Sequence, residues 1–270
     1  MRLLAFCLAL LTTPALAHEL WIEPEGYLIE PDGRLVARLV NGQHFDGIDI
    51  AYFPQRIVRF EVMLGDEVAP VEARMGANPA MDSAPLGEGL HRAVYVSTVS
   101  VVKYADYAAF DRFVAHKDFQ AVRERHLSRG LPEADFGEAY TRYSKALIGV
   151  GDAAGDDARA GLAVEIVALD NPYTADLAGG MRVQVFWQDG VEAYSQVELF
   201  DKAPDGSVTI TLHRTNAEGI AILPVQPGHS YLADHVVLRA PSAALAEETG
   251  AVWETLWAAL TFAVPAAVAD

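Results

Sequence analysis

Apolar and polar positions alternate along much of this chain, and the alternation marks strands. Arg34 to Val40 alternates and then runs into the turn formers Asn41-Gly42-Gln43-His44-Phe45-Asp46-Gly47. Arg56 to Leu64 reads as a second strand closed by Gly65-Asp66. Residues 75–89 are rich in Gly, Ala, Pro and Asp and read as a loop, and His91 to Val102 is a long β-branched run. The period then changes. Tyr107, Phe110, Phe113 and Val114 recur at three- and four-residue spacing, and Phe119, Val122, His126 and Leu127 carry the pattern to Gly130, which predicts helix over about 104–129. Tyr140, Tyr143, Ala146 and Leu147 predict a further short helix over 138–148.

Strand patterning returns in the second half. Leu162–Leu169, Met181–Trp187, Gln196–Asp201, Val208–His213, Ile220–Val225 and Tyr231–Arg239 are separated by Pro-, Gly- and Asn-containing turns, and Leu256–Val264 is a last apolar run. About seven short strands in roughly 100 residues is the pattern of an immunoglobulin- or transthyretin-like sandwich. Between the halves, Gly149 to Asp157 has no apolar period and reads as the start of a linker. The expectation is a mainly β chain of two β-sandwich-like domains. The first is 18–148, with a helical insert at about 104–148. A linker at 149–161 leads to the second, 162–270.

Residues 1–17 change this picture. Arg2 precedes the apolar run Leu3 to Leu11, Pro14 breaks it, and Ala15-Leu16-Ala17 is a small-x-small exit site, the parts of an export signal. Cleavage after Ala17 would place His18 first in a periplasmic protein. The apolar run is too short to span a bilayer, so the exported chain is expected to carry no membrane span. Cys7, the chain's single cysteine, lies within the signal, which leaves neither a disulfide nor a thiolate site. Removing the signal loses only Arg2, so 19 basic residues face 37 acidic ones and the net charge becomes −18. Such a chain repels phosphate backbones, and no nucleic-acid partner is expected.

An N-terminal His offers two nitrogen donors, the α-amine and ring Nδ1, that can close a chelate on a metal ion. The eight histidines are scattered, with no H-E-x-x-H helix, so the fold must assemble any site. His44 lies in a Gly-flanked turn, where side chains converge. His235 follows Asp234 inside an apolar strand and needs a partner if buried. His91 opens a strand. His116 and His126 lie among basic residues, and solvent exposure is expected for both. Glu19 and Glu23 flank Trp21 as oxygen ligands or as solvated edge residues. Trp253 and Trp257 are expected in the core. No G-x-S-x-G or phosphate loop occurs, and no enzymatic activity is expected.

Several segments in order carry a family likeness: His18-Glu19-Leu20-Trp21-Ile22-Glu23-Pro24, Gly42-Gln43-His44-Phe45-Asp46-Gly47, Gly89-Leu90-His91, Tyr143-Ser144-Lys145-Ala146-Leu147 and Trp253-Glu254-Thr255-Leu256-Trp257-Ala258-Ala259-Leu260-Thr261-Phe262. The chain resembles a family of exported bacterial proteins of unassigned function, grouped with the periplasmic part of a nickel-transport complex M subunit. The resemblance implies a carboxypeptidase-regulatory-like second domain and a link to nickel, cobalt or copper. The transmembrane helix of true transport subunits does not follow Phe262 here. The expected function is therefore soluble metal capture or delivery, through His18 with His44 and one of His235 or His91. The metal ion is the expected partner, together with an envelope metal-uptake component. Its rivals are a metal-free envelope interaction or glycan-binding module and a copper oxidase built on an N-terminal His brace.

Overall fold

The structure is a computed structural model that describes residues 18–266, so the expected export signal lies outside the described residues. Strands β1 (Glu19–Pro24), β2 (Leu28–Ile29), β3 (Leu35–Gln43), β4 (Asp46–Ile50), β5 (Ile57–Leu64), β6 (Glu67–Pro70), β7 (Met81–Ser83), β8 (Gly89–Ser97) and β9 (Ser100–Asp106) lead into helices α1 (Tyr107–His116) and α2 (Val122–Ser128). Then come β10 (Ala134–Val150), β11 (Val164–Ala168), β12 (Met181–Trp187), β13 (Gly190–Val191), β14 (Gln196–Lys202), β15 (Val208–Arg214), β16 (Ile220–Leu223) and β17 (Ser230–Arg239). The short helix α3 (Ala243–Thr249) precedes β18 (Ala251–Ala263). The chain is mainly β, as its alternation predicts.

A ten-stranded sheet runs through both halves in the order β15-β14-β17-β18-β10-β8-β5-β6, with β2 and β9 also on β10. Two smaller sheets pack against it. One is β1-β3-β4 with β7 on β3, and the other β11-β12-β13 with β16 on β12. Leu20, Ile22, Leu35, Ala37 and Leu39 of the first small sheet meet Phe60, Ala93, Tyr95, Ala146 and Ile148. Val164, Ile166, Val183 and Val185 of the other meet Leu199, Ala233, Leu256 and Leu260.

The seam between the halves is the parallel pairing of β10 with β18, from Gly137↔Ala251 to Ala146↔Thr261. This corrects the helix expected at 138–148. The residues are strand, and the three-residue spacing of their aromatics is coincidental. Ala146 and Ile148 face one core and Leu147 the other, so both faces are covered and the polar half of a period-2 pattern is missing. Residues 149–161 also differ from a free linker. Asp157 is buried with its carboxylate 2.8 Å from Lys145 Nζ, and Ala153 and Ala160 are buried too.

The other helical region forms as expected, in two pieces. Asp106 caps α1 by accepting from Ala109 N at 2.9 Å. Its apolar face, Tyr107, Phe110, Phe113 and Val114, packs with Trp253 and Trp257 of β18. Both tryptophans are core residues, as expected. His126 is not exposed as expected: it is fully buried, accepts from Trp253 Nε1 at 3.0 Å and contacts Pro132 O at 2.9 Å. Its basic neighbours gave the wrong signal because Arg125 and Arg129 themselves lie over the Trp253 ring.

Candidate functional site

Three buried carboxylates converge on one ammonium beneath α1. The β14–β17 register sets Glu198 directly beside Asp234, an arrangement that repels unless a cation intervenes. Lys117, the residue after α1, supplies it. Its Nζ lies 2.8 Å from Glu198 Oε2, 2.8 Å from Asp234 Oδ2 and 3.3 Å from Glu19 Oε1 of β1. The ammonium also sits 5.0 Å from the Trp257 ring centroid.

The charges are unequal, and the pKa shifts follow from that. Burial pushes the Glu19 and Asp234 carboxyls up, against the pull of Lys117. Burial acts the same way on Glu198, but the His116 and Lys117 hydrogen bonds outweigh it and hold that carboxyl at about 2. The Glu198 hydrogen bond in turn raises His116, whose Nε2 is 3.3 Å from Glu198 Oε2. Burial lowers Lys117, yet the three carboxylates prevail and keep it charged. The three acids bring ligand oxygens within 4.8 Å of one another. Lys117 occupies the space between them, so the triad alone is a poor fit for a metal ion.

The cleft above the triad has different chemistry. Glu19, His44, His116 and Glu198 line one cavity of about 620 Å³, with Phe113, Phe200 and Trp257 as apolar wall. His44 reaches it from the β3–β4 hairpin, which closes at Gln43↔Asp46 through the two residues His44 and Phe45. Both have left-handed backbones, at φ 55° and 56°. That conformation costs a non-glycine residue roughly 1–2 kcal/mol. Phe45 holds the turn there. It is buried edge-on against Trp21 at 5.5 Å, with Lys202 Nζ 3.9 Å from its ring centroid. Gly42 is required beside it, since a Cβ there would sit 2.0 Å from Asp46 O.

The four histidines expected to form a site are only partly brought together. β1 begins with Glu19 opposite Gly42, so His18 lies at the turn end of the β3–β4 hairpin, where His44 also lies. Alternation along β1 sends Glu19 to the His44 cleft, whereas His18 and Leu20 line a different one. His235 is turned away from Asp234: Leu232 and Val236 pack on the helix side of β17, and Ala233 and Val237 on the other. Its Nδ1 is 2.8 Å from Gln196 O and its Nε2 is 4.0 Å from Glu192 Oε2. His91 stands apart. It pairs with Ile148, and His18 shares its cleft with Arg142, six strand residues away or about 20 Å. Both His91 nitrogens are used: Nε2 accepts from Leu86 N at 3.1 Å, and Nδ1 lies 3.1 Å from Gly89 O. It is a satisfied core histidine, and burial lowers its pKa.

Sequence reasoning missed Lys117, Glu198 and the role of His116. The available signals were small: Asp234 is an acid inside an apolar strand, and His116-Lys117 ends an amphipathic helix. Nothing local links either to Glu198.

The sequence model of a family described as a domain of unknown function, DUF4198, matches residues 15–237. No curated protein matches. A crystal structure of a tetra-tandem repeat in the extending region of a large adhesion protein is 12% identical, over 91% of this chain and 49% of that one, with a TM-score of 0.21. This chain therefore spans about half the length of that structure. The likeness is too slight to bear on function.

Proposed function

The chain belongs to the DUF4198 family, and from its own residues we propose that it is a soluble exported protein that binds a divalent transition metal for capture or delivery. One observation carries this reading. A strained turn, pinned by Phe45, presents His44 to a cleft that also holds His116, Glu19 and Glu198, beside the strand that starts after His18. Imidazole and carboxylate donors without thiolate suit nickel, cobalt or Cu(II). Cleavage after Ala17 adds the His18 amine at the same end of the hairpin. Lys117 engages the three carboxylates below, so the imidazoles and the amine are the principal donors for an incoming ion. An envelope metal-uptake component would receive the ion.

Calorimetric titration with nickel or copper chloride tests this on protein whose intact mass shows a start at His18. His44→Ala, His116→Ala and a chain retaining one residue before His18 should each weaken binding at least about tenfold, or roughly 1.4 kcal/mol. Equal affinity in all three would overturn the reading.

A further inference from the structure

The cleft lined by His18 is chemically unlike the rest of this acidic protein. It has a volume of about 860 Å³, and its wall contains Arg56, Lys103, Arg142 and His18 but no Asp or Glu. In a chain with 37 acidic and 20 basic residues, such a wall is a marked local reversal of charge. Among the described residues, none of these three Arg and Lys side chains enters an ion pair.

Arg142 is the centre of the cleft's chemistry. It is 4% exposed, and its Nη1 is buried with no hydrogen-bond partner. A buried guanidinium without a counterpart is costly, and each unmade hydrogen bond adds to the cost. Its carbon lies 4.1 Å from the Trp257 ring centroid and 4.7 Å from that of Tyr140. Aromatic faces attract the cation without offering its N–H groups an acceptor, which leaves Nη1 unpaired. The acids that influence it through space are committed elsewhere. Glu138 accepts from Tyr104 and Thr255, and Glu19 and Asp234 accept from Lys117. A planar guanidinium edge fits a carboxylate or phosphate oxygen pair. Ile50, Tyr95 and Val101 add apolar wall beside it, and the volume exceeds what a bare inorganic ion fills.

We infer that this cleft binds a small organic anion, its carboxylate or phosphate oxygens on Arg142, with Arg56 and Lys103 attracting it at the mouth. The site uses neither His44 nor His116 and shares only His18 with the proposed metal site, so titration of metal-free protein tests it separately from metal binding.

The test is calorimetric titration of metal-free protein with benzoate, phenyl phosphate and inorganic phosphate. At least one of the two organic anions should bind, more tightly than inorganic phosphate, and added NaCl should weaken it by screening. Which of the two binds better distinguishes carboxylate from phosphate recognition. Arg142→Met can disturb packing, so the deciding variants are the exposed Arg56→Gln and Lys103→Gln. Each should weaken binding about fivefold or more while leaving the melting temperature unchanged. Failure of both organic anions to bind would overturn the inference. So would affinity indifferent to Arg56 and Lys103, or inorganic phosphate binding as tightly as the organic anions.

Discussion

Glu138 is the carboxylate whose titration the fold moves to neutrality. It is fully buried, and burial pushes its pKa up to about 7 although Thr255 and Tyr104 both donate to it. Its ordinary value is 4.5, so the folded protein holds this proton through a range where the unfolded chain has lost it. Stability then falls as pH rises from 4.5 to about 7, by about 3 kcal/mol for a shift of this size. Glu198 acts in the opposite sense. Held at about 2, it contributes stability above 4.5 that disappears as pH falls towards 2. Denaturant unfolding at pH 5 and pH 8 should show Glu138→Gln losing about 2.5 kcal/mol less than the parent over that interval. Equal losses would mean that Glu138 ionises freely in the folded protein. At this scale the sequence was informative where chemistry is local. His44 in its Gly-flanked turn and Asp234 in an apolar strand were visible. Lys117 and Glu198 were not, because 81 residues separate partners that only the β14–β17 register and the end of α1 bring together.

β10 shows how an element is misread when both its faces are buried. Polar-apolar alternation needs one wet face, and β10 has none along Ser144 to Val150. Its aromatic spacing therefore passed for a helix, whereas β3, β5, β12 and β17 emerged near their true bounds. The segment after β10 was misread for a related reason. Gly, Ala and Asp suggest looseness, yet Asp157 reaches Lys145, which also contacts Glu165 at 3.2 Å. Asp157 additionally accepts from Ala168 N at 2.8 Å, tying the segment to β11. Asp157→Ala leaves a buried ammonium with one partner fewer, and should cost about 3 kcal/mol in denaturant unfolding. Amide exchange across 151–161 should accelerate with it. A loss below about 1 kcal/mol would show the segment to be only loosely attached.

The whole molecule is organised around the shared ten-stranded sheet, which the expectation of two sandwiches joined by a linker did not contain. Many strands were legible from local pattern, though β10 was not, and the partner was legible for none: β10 pairs with β18 across the full second half. A single calorimetric transition is expected, with van't Hoff and calorimetric enthalpies equal. Residues 18–148 expressed alone should remain unfolded, because the truncation leaves the central strand without its neighbour. Two separable transitions would show that the seam contributes little. The same seam sets an order in time. During synthesis β10 emerges roughly 100 residues before β18, and at about 5–20 residues per second it waits roughly 5–20 s for its neighbour. Through that interval a long apolar strand has one side unsatisfied, a template on which another unfinished chain can pair until β18 arrives.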